Sequence, residues 1–216
     1  MSVTAALGKL ADLAEAQGGL VTTRQAQARG VARRDLSRLV AGGGLERAAY
    51  GVYRVAGAPR DRLVELRAAW LQLAPGLGVD QRLPEHGAVS HTSAAMVYET
   101  GSLEPFRYEF TVPPPRRVRS RRHDVAIHQA QLDAEDVAWV AEMVVTGPLR
   151  MIADLAAQRF DGEHLTGVVI DVLAKGLADR RGIESVLAPH AAGYGLPTGD
   201  GRGLVAELLD RSGMAS

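Results

Sequence analysis

The chain has 216 residues, 46% of them hydrophobic and only 5% aromatic, with 25 basic and 25 acidic side chains and no cysteine. That length holds one sizeable domain or two small ones, with cores built from aliphatic side chains and alanine. The lack of cysteine excludes disulfides, a thiolate zinc site and a thiol nucleophile.

No apolar run approaches the roughly 20 residues that span a bilayer. Charges interrupt the apolar pattern of the N-terminal MSVTAALGKLADLAEAQ, which does not fit a signal peptide. The expectation is a soluble, cytoplasmic protein. The balanced charge hides an asymmetry: residues 1–60 hold nine basic and four acidic side chains, residues 130–216 seven basic and thirteen acidic. A basic front and an acidic rear point to two surfaces with different partners. All but two of the basic residues are arginine, which forms bidentate contacts to phosphate and guanine that lysine cannot.

Leu7, Leu10, Leu13 and Ala14 stripe one face of a first helix that stops at Gly18-Gly19. Leu20-Val21 reads as one strand rung. Thr22 or Thr23 caps a brief second helix whose first turn begins at Arg24 and which ends at Arg29-Gly30. Gly30 suits a tight turn between helices because it accepts positive φ. A third helix runs from about Ala32 to Ala41, with Leu36, Leu39 and Val40 on one face and Arg33, Arg34, Ser37 and Arg38 on the other. Gly42-Gly43-Gly44 ends it. LERAAYGVYRV then alternates as a two-stranded wing turning at Tyr50-Gly51, with Tyr53 expected in the core beneath it.

This order is a winged helix-turn-helix, in which the arginine-bearing helix is placed to enter a major groove and its N-terminal half to read bases. An arginine face on an isolated helix is more often simply solvated; the surrounding order of elements favours DNA. Arg33, Arg34, Ser37 and Arg38 are the expected base-reading or base-flanking residues. Arg24, Arg47, Tyr50 and Arg54 are expected on phosphates or in the minor groove.

Residues 59–74 form an amphipathic helix with Leu63, Leu66, Trp70 and Leu73 on one side. GLGVDQRLPEHG reads as a linker. The domain boundary is placed near residue 80, giving a DNA-binding domain over 1–80 and a C-terminal domain over 81–216. Ser90 caps a short helix through Tyr98. RYEFTV and DVAIHQ alternate as strands, and VAWVAEMVV reads as a buried central strand. Pro148 just after Thr146 starts a helix, LRMIADLAAQ. Three more follow in HLTGVVIDVLAKGL, GIESVLAPH and RGLVAELLDR. The fold class is α+β: a winged helix-turn-helix, then a small mixed sheet packed by helices.

Between the two alternating strands, PPPRRVRSRRHD carries Arg116, Arg117, Arg119, Arg121 and Arg122 with no acid among them. It reads as an exposed arm, either a phosphate or partner contact or a solvated loop.

Catalytic signals are weak. There is no P-loop, HExxH or GxSxG. His86/His91 and His123/His128 are each five apart, which does not align two ligands on one helix or strand face, so these histidines are read as structural and no metal site is expected. Arg150 and Asp154 are spaced for a structural ion pair on one helix. GYGLPTGDGRG is glycine-rich before a helix, where backbone N–H groups would hold an anion, but it lacks any phosphate-binding spacing and reads as a connector. No catalytic residue and no cofactor are expected.

The stretches GLVTTRQA, GVARRDLSRLVAGGGL and AYGVYRV resemble the N-terminal domain of the AbiEi family, antitoxins of type IV toxin–antitoxin systems. VSHTSAAMVY and VTGPLRMIADLA are similar to segments that follow that domain in such antitoxins. The resemblance implies an antitoxin from a two-gene operon. Its winged domain would bind inverted repeats in the operon's own promoter and repress it. Its C-terminal domain would neutralise a nucleotidyltransferase-like toxin of the AbiEii kind. A related branch carries a nuclease behind the winged domain, but no carboxylate followed by E-x-K on a strand occurs here, so that activity is not carried over. Two alternatives stay open: an enzymatic antitoxin that inactivates the toxin covalently, for example by phosphoryl transfer, and a stand-alone transcriptional regulator.

Overall fold

The computed structural model describes residues 2–102, 105–120 and 122–211. The chain forms two units. The first runs to Gly87 and takes in Trp139–Val144; the second holds Ala88–Ala138 and the chain from Val145 onward. The break falls at Gly87, the last residue of the GLGVDQRLPEHG stretch.

In the first unit, Ser2 Oγ accepts the Ala5 N–H at 3.2 Å and opens α1 (Val3–Gly8). The single first helix expected from the apolar stripe is two, α1 and α2 (Ala11–Glu15). Gly8, a poor helix former, closes the first. Both still direct Ala6, Leu10, Leu13 and Ala14 into one core.

Strand β1 (Leu20–Thr22) leads straight into α3 (Thr23–Ala28). Thr22 caps it reciprocally: its Oγ1 accepts the Gln25 N–H at 3.1 Å while Gln25 Oε1 accepts the Thr22 N–H at 2.8 Å. Gly30, at φ +74°, makes the turn into α4 (Arg33–Ala41). The wing follows as β2 (Leu45–Ala49) and β3 (Val52–Val55), and β3 also pairs with β1, so the sheet order is β1-β3-β2, all antiparallel. Val31, Leu36, Leu39, Leu45 and Tyr53 close the core, with Tyr53 beneath the wing as expected.

Helix α5 (Val64–Leu73) is not amphipathic in place. Arg67, Ala68 and Leu71 are buried along with Leu66 and Trp70. The Arg67 Nη2 is ion-paired with Asp61 at 3.2 Å and Glu142 at 3.0 Å. The expected linker is structured as two 3₁₀ turns, Val79–Gln81 and Pro84–His86. Arg82 is buried there. It donates to the carbonyls of Trp70, Leu71 and Ala74 at 2.8–3.0 Å, satisfying the C-terminal end of α5, and its guanidinium lies 4.2 Å from the Trp70 ring centroid.

The remaining strands are β4 (Ala88–Val89), β5 (Tyr108–Val112), β6 (Val125–Gln129), β7 (Val137–Val140) and β8 (Met143–Thr146). They form a mixed sheet in the order β6-β5-β4-β8-β7. β5 and β6 are parallel neighbours, so the arginine-rich segment between them is a crossover and not a hairpin.

VAWVAEMVV, expected as one buried central strand, is instead the hairpin β7–β8. Ala141 and Glu142 turn it with φ of +49° and +57°. β8 is buried throughout, but β7 is an edge strand with Trp139 53% exposed.

Helices α6 (His91–Tyr98), α7 (Pro148–Ala157), α8 (Gly162–Ala174), α9 (Arg180–Leu187) and α10 (Gly201–Arg211) complete the second unit. Phe110, Val145, Ile152, Leu155, Val169, Ile183 and Leu204 are fully or almost fully buried in it. Gly201 is packed so closely that a Cβ would lie 1.9 Å from the Glu184 carbonyl oxygen. The connector's glycine is there for close approach of two helices. The fold class is α+β, as the sequence indicates.

Candidate nucleic-acid interface

Helix α4 carries two unlike faces. Leu36 and Leu39 are buried, while Arg33, Arg34, Ser37 and Arg38 are exposed. Burial of the leucines against α1, α3 and β2 fixes the rotation of the helix, and that rotation turns the arginines outward. Ser37 Oγ bonds back to the Arg33 carbonyl at 3.2 Å, and Arg38 stands 3.8 Å from the buried Asp35 carboxylate. Arg24 is exposed in the first turn of α3. α3 and α4 meet through the Gly30 turn, the arrangement by which a helix-turn-helix sets its second helix into a groove.

The wing adds two exposed groups. Arg47 stands on β2 with its guanidinium 5.6 Å from the Tyr53 ring centroid. Tyr50, at the tip, is 94% exposed. Its carbonyl accepts from Gln72 Nε2 at 2.8 Å, which braces the tip against α5.

Arg54 departs from the expectation of a phosphate contact. It is buried, donates to Glu46 Oε2 at 2.7 Å and to the Ala58 carbonyl, and so holds the base of the wing together. A β-bulge between Arg47 and Ala49 sets the register that places Glu46 opposite Arg54.

The crossover from β5 to β6 carries Arg117 and Arg119 exposed and Arg116 half-buried. Arg122 is not presented with them: its guanidinium binds Asp124 through Nε at 2.9 Å and Nη2 at 2.5 Å. This pair also holds the Asp124 carboxyl below its ordinary range. Arg121 lies outside the described residues. In the glycine-rich connector, Asp200 Oδ1 accepts the Gly203 N–H at 2.7 Å. Its carboxylate occupies the helix end where an anion would sit.

Two groupings have no counterpart in the sequence reading. Gln17 and Gln25 pair their amides reciprocally at 2.8 and 3.2 Å in the buried floor of the first unit. His91 and His128, each from a different sequence pair, stack with ring centroids 3.9 Å apart. No local spacing signals either, since sheet and helix packing bring the partners together.

Residues 9–56 match the model of a family described as "Transcriptional regulator, AbiEi antitoxin". No curated protein matches the chain. Among solved structures, the RV2827C protein from Mycobacterium tuberculosis has a similar fold, with a TM-score of 0.57 at 18% identity over 98% of this chain and 78% of that one. No helix among the described residues is long and apolar enough to cross a membrane. The match over α2 to β3 covers the stretches GLVTTRQA, GVARRDLSRLVAGGGL and AYGVYRV, so residues 9–56 are similar to the AbiEi family of antitoxin transcriptional regulators.

Proposed function

We propose that the protein is the antitoxin and transcriptional autorepressor of a type IV toxin–antitoxin operon, binding inverted repeats upstream of its own operon through the winged helix-turn-helix. The observation that carries this reading is the face of α4, where Arg33, Arg34, Ser37 and Arg38 all stand exposed on a helix rotated by its buried leucines. Arg33, Arg34 and Arg38 would contact base edges and Ser37 would flank them. Arg24, Arg47 and Tyr50 would hold the module on phosphates or at the minor groove. Arg117 and Arg119 would extend the contact to phosphate or to a partner. The second unit would neutralise a nucleotidyltransferase-like toxin. The enzymatic alternative loses the support of the glycine-rich connector, since Asp200 fills the helix end after the glycines.

A gel shift on the DNA upstream of the gene, in a salt series, tests this. Selective binding that weakens steeply with salt is expected, because each phosphate contact releases counterions. Arg33→Ala or Arg34→Ala should each weaken selective binding at least ~10-fold, from the ~1–3 kcal/mol that one good base contact contributes to discrimination. Toxin neutralisation in a co-expression assay should survive both changes. Equal, weak binding on unrelated DNA would reject the repressor reading. Loss of neutralisation in the same folded variants would reject the division of labour between the units.

A further inference from the structure

The second unit brings two imidazoles and a carboxylate into one small volume. His91 opens α6 and is buried, with a left-handed φ of +53°. His128 lies on β6 and Glu109 on β5. The parallel register sets His128 opposite Thr111, two residues from Glu109, so the carboxylate and the ring share one face of the sheet. His128 Nε2 lies 3.0 Å from Glu109 Oε1. One ligand atom from each of the three residues lies within 4.8 Å of the other two.

Each group is also held from behind. His91 Nδ1 is 2.9 Å from Ser90 Oγ, which in turn is 2.9 Å from Thr111 Oγ1. That bond occupies one ring nitrogen and leaves Nε2 as the ligand atom. Glu109 Oε2 accepts the Thr92 N–H at 3.0 Å and the Thr92 hydroxyl, leaving Oε1 for the cluster. The Gln158 amide reaches His128 Nδ1 at 3.5 Å. Outer partners of this kind orient metal ligands and fix their tautomers.

Two further features favour a cation. A cavity of about 470 Å³, lined by His91, His128, Asp154 and Gln158, opens beside the cluster. Near it, Arg150 binds Asp154 and Asp136 at 2.8 Å each, and Glu109 is a third carboxylate. These three carboxylates outnumber the Arg150 guanidinium, a balance that suits a cation.

We propose that His91, Glu109 and His128 bind one first-row transition-metal ion of the zinc class, with a fourth position open to the cavity. Two imidazoles and one carboxylate suit zinc and its neighbours, whereas calcium and magnesium take oxygen ligands. Three protein ligands with one open position is the pattern of an exchangeable site, unlike the closed sites that only hold a fold. Ligand atoms about 2.1 Å from a tetrahedral ion are about 3.4 Å apart. Occupancy therefore needs the widest pair to close by at most about 1.4 Å, within reach of side-chain rotation. This inference is independent of the DNA-binding reading, which concerns the other unit.

The test is titration of the full, chelator-treated chain with Co²⁺ by absorption and with Zn²⁺ by calorimetry. One equivalent is expected, with the intense visible bands of four-coordinate Co²⁺ and a raised melting temperature on loading. Glu109→Gln and His128→Gln keep size and hydrogen bonding, and each should weaken binding at least ~100-fold. His123→Ala and His164→Ala, which remove histidines outside the cluster, should bind as the parent does. Failure of the parent chain to bind near one equivalent would overturn the proposal. So would unchanged binding in folded Glu109→Gln and His128→Gln proteins, with folding checked by circular dichroism.

Discussion

Arg47 and Arg54 sit on the two strands of one wing and behave oppositely. In a hairpin turning at Tyr50-Gly51 without a bulge, Arg54 would face Arg47. The bulge shifts the register by one, so Arg54 faces Glu46 and Arg47 faces Tyr53. A one-residue shift of this kind carries no local composition signal, which is why both arginines read alike in the sequence. The consequence is testable at each residue. Arg54→Ala removes a buried guanidinium that bonds Glu46 and the Ala58 carbonyl, and urea denaturation should show a loss of about 1–2 kcal/mol. Arg33→Ala and Arg34→Ala lie on exposed surface and should change stability by less than about 0.5 kcal/mol while weakening DNA binding. An Arg54→Ala protein as stable as the parent would return that residue to the phosphate-contacting set.

At the scale of elements, legibility follows how local the signal is. The helix-turn-helix was readable because Thr22 and Gln25 form a capping box three residues apart, Gly30 supplies positive φ, and Tyr50-Gly51 marks the wing turn. The β7–β8 hairpin was not, because Ala141 and Glu142 take left-handed conformations that neither residue announces. Glu142 is retained there by its ion pair with Arg67 at 3.0 Å, and the Ala141 carbonyl accepts from the same guanidinium at 3.3 Å. Ala141 has no side-chain role in that contact. Ala141→Asn keeps the carbonyl and relieves the backbone, and it should raise stability by about 0.5–1 kcal/mol. A shift of the urea midpoint to higher concentration with an unchanged slope would show it. A fall in the midpoint would mean that the turn depends on the alanine methyl.

Over the whole molecule, the cluster around His91 exists only because four distant segments converge: the start of α6, the strands β5 and β6, and helix α7. In the sequence its members are scattered over more than sixty residues, and pairing histidines by nearest spacing links the wrong partners. The same convergence predicts how the fold responds to acid. The chain's formal net charge is zero, so its sensitivity near neutral pH rests on individual groups rather than on overall repulsion. His91 is the group displaced furthest in the relevant range, from an ordinary 6.5 to about 4, by burial first and then by His128 and Arg150, with Glu109 opposing. Asp154, raised by its own burial despite its bond to Arg150, completes the charged surroundings. Below about pH 6.5 the unfolded chain takes up a proton at His91 that the folded chain refuses until about pH 4. Stability should therefore fall as pH drops through that window, by up to ~3 kcal/mol at its lower end. Glu109 extends the decline below it. Bonds from His128 and Thr92 outweigh its burial and hold its carboxyl low, so its contribution is lost only as pH falls further. His91→Asn tolerates the left-handed backbone and removes the titrating ring. Measured by urea midpoints in chelator, the variant should lose most of the slope between pH 6.5 and 4. An equal slope in parent and variant would assign the acid response to other groups and leave the stacked pair without a part in it.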